Sequence, residues 1–261
     1  MLGQAYPARL LEGLPRQALG ETVSLSANGT LVDSVLDGAL VLQGAGVGFS
    51  GKGKVDLGNN AFDALAVNAS LRDPALFGKD LLLKGARLSA TLDGPFRNLA
   101  VAHRLELDEL NAGTVLTGVR QQGTLTYDGK TWRLPLALDV QRISTGTAMI
   151  DPRLVNGRAT GLIALEGNRL SSDDLRIAFP GLAARFALRG DTARGGYGLA
   201  GPVDAKGLAI ENLGAIDANA KIVFRIGSNA PWNLRANFAG RMPRVTNSTL
   251  TSIAGTNIRF K

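Results

Sequence analysis

Histidine occurs once among the 261 residues, at His103, and cysteine does not occur at all. Thiolate chemistry, disulfide scaffolding, zinc fingers and multi-histidine metal sites are excluded together. A lone histidine does acid–base work only beside a nucleophile or an orienting carboxylate. His103 stands between Val101 and Leu105, with Glu106 and Asp108 on the alternate positions, and reads as a hydrogen-bonded filler of an apolar row. The segment Gly46-Val47-Gly48-Phe49-Ser50-Gly51-Lys52-Gly53 follows the phosphate-cradling loop until its last position, where Gly53 replaces the Ser or Thr that would ligate magnesium. Lys54-Val55-Asp56-Leu57-Gly58 continues it as strand and turn instead of the helix that such a loop needs, so it reads as a glycine-rich strand edge. Ser171-Ser172-Asp173-Asp174 is turn-like, and no Gly-x-Ser-x-Gly elbow occurs. The carboxylate pairs Asp173/Asp174 and Glu106/Asp108 have nothing placing them across a cleft, as glycoside hydrolysis demands. The expectation is a protein that is not an enzyme, with no catalytic residue, metal or cofactor.

The elements that hold these residues are strands. After an opening segment, Ala8 to Leu19, that reads as a helix interrupted by Pro15, apolar and polar residues alternate to the end of the chain. Val23, Leu25, Ala27 and Leu31 begin the pattern. Ala86, Leu88, Ala90 and Leu92 follow, with a turn expected at Asp93-Gly94-Pro95, and then Leu99, Val101, His103, Leu105 and Leu107. Leu125 and Tyr127 lead through Asp128-Gly129 into Trp132, Leu134, Leu136, Leu138 and Val140, the clearest hairpin in the chain. Leu175, Ile177 and Phe179 turn at Pro180-Gly181 into Ala184, Phe186 and Leu188. Ile222, Phe224 and Ile226, then Trp232, Leu234, Ala236 and Phe238, and finally Ile258 and Phe260, complete the series. Only Asp73 to Lys84 and the Pro152 to Asn156 link break it. With no shift in composition, residues 1–20 read as a lead segment and 21–261 as one repetitive β domain. Glycine, 33 residues, is nearly twice its usual share, and aliphatic-charge-Gly-polar turns such as Leu165-Glu166-Gly167-Asn168 recur.

Such strands carry an apolar face, and the chain offers no amphipathic helix long enough to cover it. With about ten strands each showing three or four aliphatic side chains at ~1.5–3 kcal/mol, leaving the face in water forfeits tens of kcal/mol. The face is buried by closure into a barrel, by packing of two sheets, or by a guest such as lipid chains in an open trough. The expected lining is the inward set Leu88, Leu92, Leu99, Val101, Leu105, Leu107, Trp132, Leu134, Leu136, Leu138, Leu175, Ile177, Phe179, Phe186, Leu188, Ile222, Phe224, Ile226, Trp232, Leu234 and Phe238. Fourteen scattered aromatics are few for the girdles of an outer-membrane barrel. A sandwich or solenoid scaffold, or an envelope assembly factor, stays open as the alternative. The net charge of +7 is spread without a Lys/Arg cluster, so nucleic acid is not expected as a partner. No apolar run is long enough to span a bilayer, and residues 1–20 lack the form of a signal peptide.

This texture resembles the AsmA-like superfamily of bacterial envelope proteins, which includes TamB, and within it the YdbH-like group. The resemblance is strongest from about Asn156 to Lys261, through Gly207-Leu208-Ala209-Ile210-Glu211-Asn212-Leu213-Gly214, the later Trp232-x-Leu, and Asn247-Ser248-Thr249-Leu250 leading to Ala254-Gly255. It implies an elongated, curled antiparallel sheet, a β-taco, whose open apolar groove moves phospholipids between the inner and outer membranes. It also implies a periplasmic location with an inner-membrane anchor outside this sequence, so the chain is expected to be an interior piece of a longer one. The partners implied are phospholipid acyl chains and, through the missing parts, the two membranes.

Overall fold

The computed structural model describes residues 2–5, 12–148, 150–210, 212–227, 230–256 and 258–261. Contacts divide the chain into two compact units: Met1–Leu134 with Leu138–Thr145, and Pro135–Ala137 with Gly146–Lys261. The boundary falls just before the Pro152 to Asn156 link, inside the stretch that the sequence presents as one uniform domain.

The first unit holds β1 (Leu2–Ala5), α1 (Leu14–Leu19), β2 (Val23–Val32), β3 (Val35–Gln43), β4 (Val47–Asp56), β5 (Ala61–Leu71), β6 (Leu82–Lys84), β7 (Arg87–Pro95), β8 (Leu99–Asn111), β9 (Val115–Tyr127) and nearly all of β10 (Thr131–Ser144). Each strand from β1 to β5 pairs antiparallel with the next, β5 pairs with β7, and β7 through β10 continue the ladder. The short β6 pairs with β8 where β7 does not reach. The second unit is a meander of β11 (Val155–Glu166), β12 (Arg169–Phe179), β13 (Leu182–Asp191), β14 (Gly196–Ile210), β15 (Gly214–Gly227), β16 (Ala230–Val245) and β17 (Ile258–Phe260), with α2 (Ser248–Ala254) before the last strand.

Register sorts the side chains into two faces, because the strand period is two and a partner directly opposite shares a face. In the first unit one row reads Leu25, Leu42, Phe49, Ala69, Leu88, Leu105, Gln121, Leu138 across successive strands, and the next reads Ala27, Leu40, Gly51, Val67, Ala90, His103, Gly123. The reverse face carries Ser26, Val41, Ser50, Asn68, Ser89, Arg104 and Gln122 in register. The second unit repeats the scheme with Ala159, Ile177, Ala184, Val203, Ala220 and Phe238 in one row, and Ser172, Leu188, Leu199, Phe224 and Leu234 in another. The register of β12 shifts between Ser172 and Leu175, which keeps apolar positions on one face across an odd spacing.

Among the described residues of each unit, the strands form a single paired layer. The chain exposes 16529 Å², more than the roughly 13,000 Å² expected even of two separate compact domains of half its mass. No described side chain is completely enclosed, and the buried apolar set is Val23, Leu76, Leu107, Val119, Val140, Leu175 and Met242. The all-β antiparallel class and the short N-terminal helix stand as expected. Within each unit the sheet is open.

Several local expectations shift. The helix at the N-terminus runs only over α1, with Pro15 in its first turn where its missing N–H costs nothing; residues 8–11 lie outside the described residues. Residues 2–5 of the expected lead segment form a sheet strand. Asp93-Gly94-Pro95 stays within β7, and the turn closes one step later, where the Asn98 N–H donates to the Pro95 carbonyl at 2.8 Å. Pro180-Gly181 and Gly167-Asn168 are tight two-residue turns as expected, with positive φ at Gly181 and Gly167. The glycine-rich segment runs from the β3–β4 turn at Gly46 into β4, an interior strand and not an edge.

Candidate functional site

Two hollows lie in the apolar face of the first unit. One, of about 480 Å³, is lined by Leu36, Leu40, Phe49, Val55, Leu65 and Val67 and by four glycines from β2 to β4. The other, of about 360 Å³, is lined by Val47, Leu71, Leu88 and Leu105, and by Phe77 and Leu83 from the excursion after β5. Phe49 borders both, so the hollows are neighbours along one face. At this end Leu76 is buried, and α1 sits against the β3–β4 turn, where the Gly46 N–H donates to the Ala18 carbonyl at 2.9 Å.

The larger hollow exists because of glycine. Gly29, Gly38 and Gly53 stand opposite one another on β2, β3 and β4. A Cβ on Gly38 would lie 2.6 Å from the Asn28 carbonyl oxygen, and one on Gly53, at φ +147, 2.8 Å from the Leu65 Cα. The backbones approach closely there, and the missing side chains leave space that the flanking Leu and Val rows do not fill.

Leu88, Leu92, Leu99, Val101, Leu105, Leu107, Trp132, Leu134, Leu136 and Leu138 are half-buried or buried, and those with assigned partners oppose other members of the apolar rows. Trp132 stacks on Tyr127 with centroids 4.5 Å apart and caps the hairpin end. Leu175, Ile177, Phe179, Phe186, Leu188, Ile222 and Phe224 share the apolar face of the second unit. Ile226, Leu234 and Phe238 lie on the same face but are 45%, 51% and 56% exposed. The side chain of Trp232 lies outside the described residues, as does Glu211 of the Gly207–Gly214 segment. Only Leu88 and Leu105 of the expected set line either hollow. The rest of their lining comes from β2 to β5, the excursion, and Ala86 and Arg87 at the start of β7. The alternation of Leu25, Ala27 and Leu31 and the glycine-rich β4 were the available signals for it.

The chemically active side chains that the sequence singles out lie as follows. His103 Nδ1 lies 3.3 Å from the Val101 carbonyl of its own strand, with Ala90 and Gly123 opposite. Glu106 is held by Arg104 at 2.7 Å, which keeps its carboxyl below the usual range. Asp174 is clamped by Arg176 at 2.7 Å and Arg185 at 2.6 Å, and its pKa is lowered chiefly by the Arg176 hydrogen bond. Asp173 pairs with Arg189. At the β9–β10 turn, Asp128 accepts hydrogen bonds from Arg133 and from the backbone N–H groups of Thr131 (2.8 Å) and Lys130 (3.0 Å), which together lower its pKa to about 2. Among the described residues, no three His, Asp or Glu side chains gather as a metal site, and no helix is long and apolar enough to cross a membrane. What the arrangement can do is solvate apolar chains on one face while paired charges meet water on the other.

No family model, curated protein or solved structure matches the chain.

Proposed function

We propose that this chain is a non-enzymatic carrier segment that holds phospholipid acyl chains against the apolar face of its sheet and passes them between the two membranes of a bacterial envelope. The observation that carries the reading is an apolar face continuous across the strands of the first unit, with hollows of about 480 and 360 Å³ and, among the described residues, no side chain completely enclosed. Both volumes fall within the range of small-molecule sites, roughly 300–1,000 Å³. The lining is aliphatic and glycine-rich, which matches a flexible hydrocarbon and offers no directional polar recognition. Carriage then needs no catalyst. Tails leave water at about 0.8 kcal/mol per methylene buried, and headgroups stay at the solvated rim. The texture shared with the AsmA-like superfamily, and its YdbH-like group in particular, supports the same reading and with it a periplasmic location.

The test is native mass spectrometry of the purified chain, with organic extraction to identify what is bound. Co-purified phospholipid is expected, and Leu136→Arg and Phe224→Arg are expected to lose it while keeping the β signature in circular dichroism. A lipid-free protein that does not take up phospholipid from vesicles would overturn the proposal and favour a scaffold.

A further inference from the structure

The outer face of the second unit breaks the charge balance seen elsewhere. In the first unit, outward cations face outward anions: Arg87 lies 3.0 Å from Asp108 and Arg104 2.7 Å from Glu106. On β14 to β17, Lys206, Lys221, Arg225, Arg235, Arg241 and Arg259 are exposed on the polar side against only Asp204 and Asp217. Asp217 is already engaged, accepting from the Gly207 N–H at 2.8 Å and from Arg241 at 3.1 Å. Among the described residues Lys221, Arg225 and Arg235 have no ion-pair partner, although register puts them on adjacent strands of one face. Arg241 stands directly opposite Arg259. Like charges so placed are destabilising unless an anion sits between them. With Lys206 they border a hollow of about 880 Å³ on this face.

We infer that this basic face is a docking surface for an anionic phospholipid membrane. Charge complementarity calls for a polyanion, and the opposite face selects which one. Among the described residues Ile226, Leu234 and Phe238 are the exposed large apolar side chains of the same strands, and they lie on the reverse side from the cations. A single-stranded nucleic acid would need aromatic rings among the cations for stacking. The outward positions between them are instead Asn219, Val223, Asn233, Asn237 and Ala239. A sheet end with cations on one side and bare hydrocarbon on the other fits the boundary between headgroups and acyl chains. The inference deepens the proposed function by giving the carrier a membrane-facing end.

Co-sedimentation of the full chain with vesicles tests it. Vesicles of phosphatidylcholine mixed with phosphatidylglycerol are expected to bind the protein at low salt and to release it at high salt, and pure phosphatidylcholine to bind it weakly. The triple variant Lys221→Gln, Arg225→Gln, Arg235→Gln changes only exposed side chains, and its partition is expected to fall on the order of 100-fold. Equal binding to neutral vesicles, an unaffected triple variant, or retention by single-stranded DNA without vesicle binding would overturn the inference. Phospholipid co-purifying with the triple variant separates this surface from the acyl-chain reading, which the Leu136→Arg variant tests on its own.

Discussion

Gly51 offers the sharpest probe of the larger hollow. Of the four glycines that line it, Gly29, Gly38 and Gly53 meet backbone atoms within 2.9 Å of an added Cβ. A Cβ on Gly51 meets only the Phe49 ring at 3.6 Å and the Ala66 carbonyl oxygen at 3.9 Å, both ordinary contacts, and no positive φ opposes it. Gly51→Leu therefore puts four carbons into about 480 Å³ of open apolar space without straining the strand. If a lipid tail occupies that space, the leucine displaces about four of its methylenes at ~0.8 kcal/mol each, about 3 kcal/mol or on the order of a 100-fold loss of affinity. In delipidated protein the same change stabilises, because it removes the entropic cost of glycine in a strand, about 0.5–1 kcal/mol, and adds apolar contact. Native mass spectrometry and scanning calorimetry together read both effects. Lower lipid occupancy with a melting temperature raised by several degrees is expected. Unchanged occupancy in a folded variant, or destabilisation equal to that of Gly38→Leu, would refute the reasoning.

Leu107 is buried opposite Val119, whereas Phe238 is 56% exposed on the apolar face of the second unit. Leu107→Ala should cost about 2 kcal/mol or more in urea unfolding, and Phe238→Ala well under that while lowering bound lipid; equal stability losses would contradict the contrast. Asp128→Asn removes a carboxylate whose folded pKa, about 2, lies below the ordinary 3.8. The stabilisation that this shift represents is present above pH ~4 and lost as pH falls toward 2, so the melting-temperature gap between native protein and variant should close over that window. A gap independent of pH would exclude the ionic part of the turn.

Strand placement was legible because period-two alternation carries both the element and its face, as in β8 from Leu99 through Leu107 and the β9–β10 hairpin at Asp128-Gly129. Asp93-Gly94-Pro95 misled because Gly94 adopts a positive φ within the strand, where it reads locally as a turn. The helix α2 escaped notice among strands, although Asn247 at its start and Gly255 just past its end, with φ +78, have helix-boundary chemistry. The hollows were the least legible feature. They depend on which glycines fall opposite one another, and that follows from the register of β2, β3 and β4, which no single segment reveals. The exposed state of Leu234 and Phe238 was hidden for a related reason: alternation assigns a face but not what covers it.

The central claim is that acyl chains lie against one face of this sheet. A photocrosslinking amino acid introduced singly along β3 and β13, in protein incubated with phospholipid vesicles, tests it most directly. Lipid adducts are expected at Leu36, Leu40, Ala184, Phe186 and Leu188 and not at Asp37, Val41, Ala183 or Arg185. Adducts on both sets, or on neither while the protein stays folded, would contradict the account.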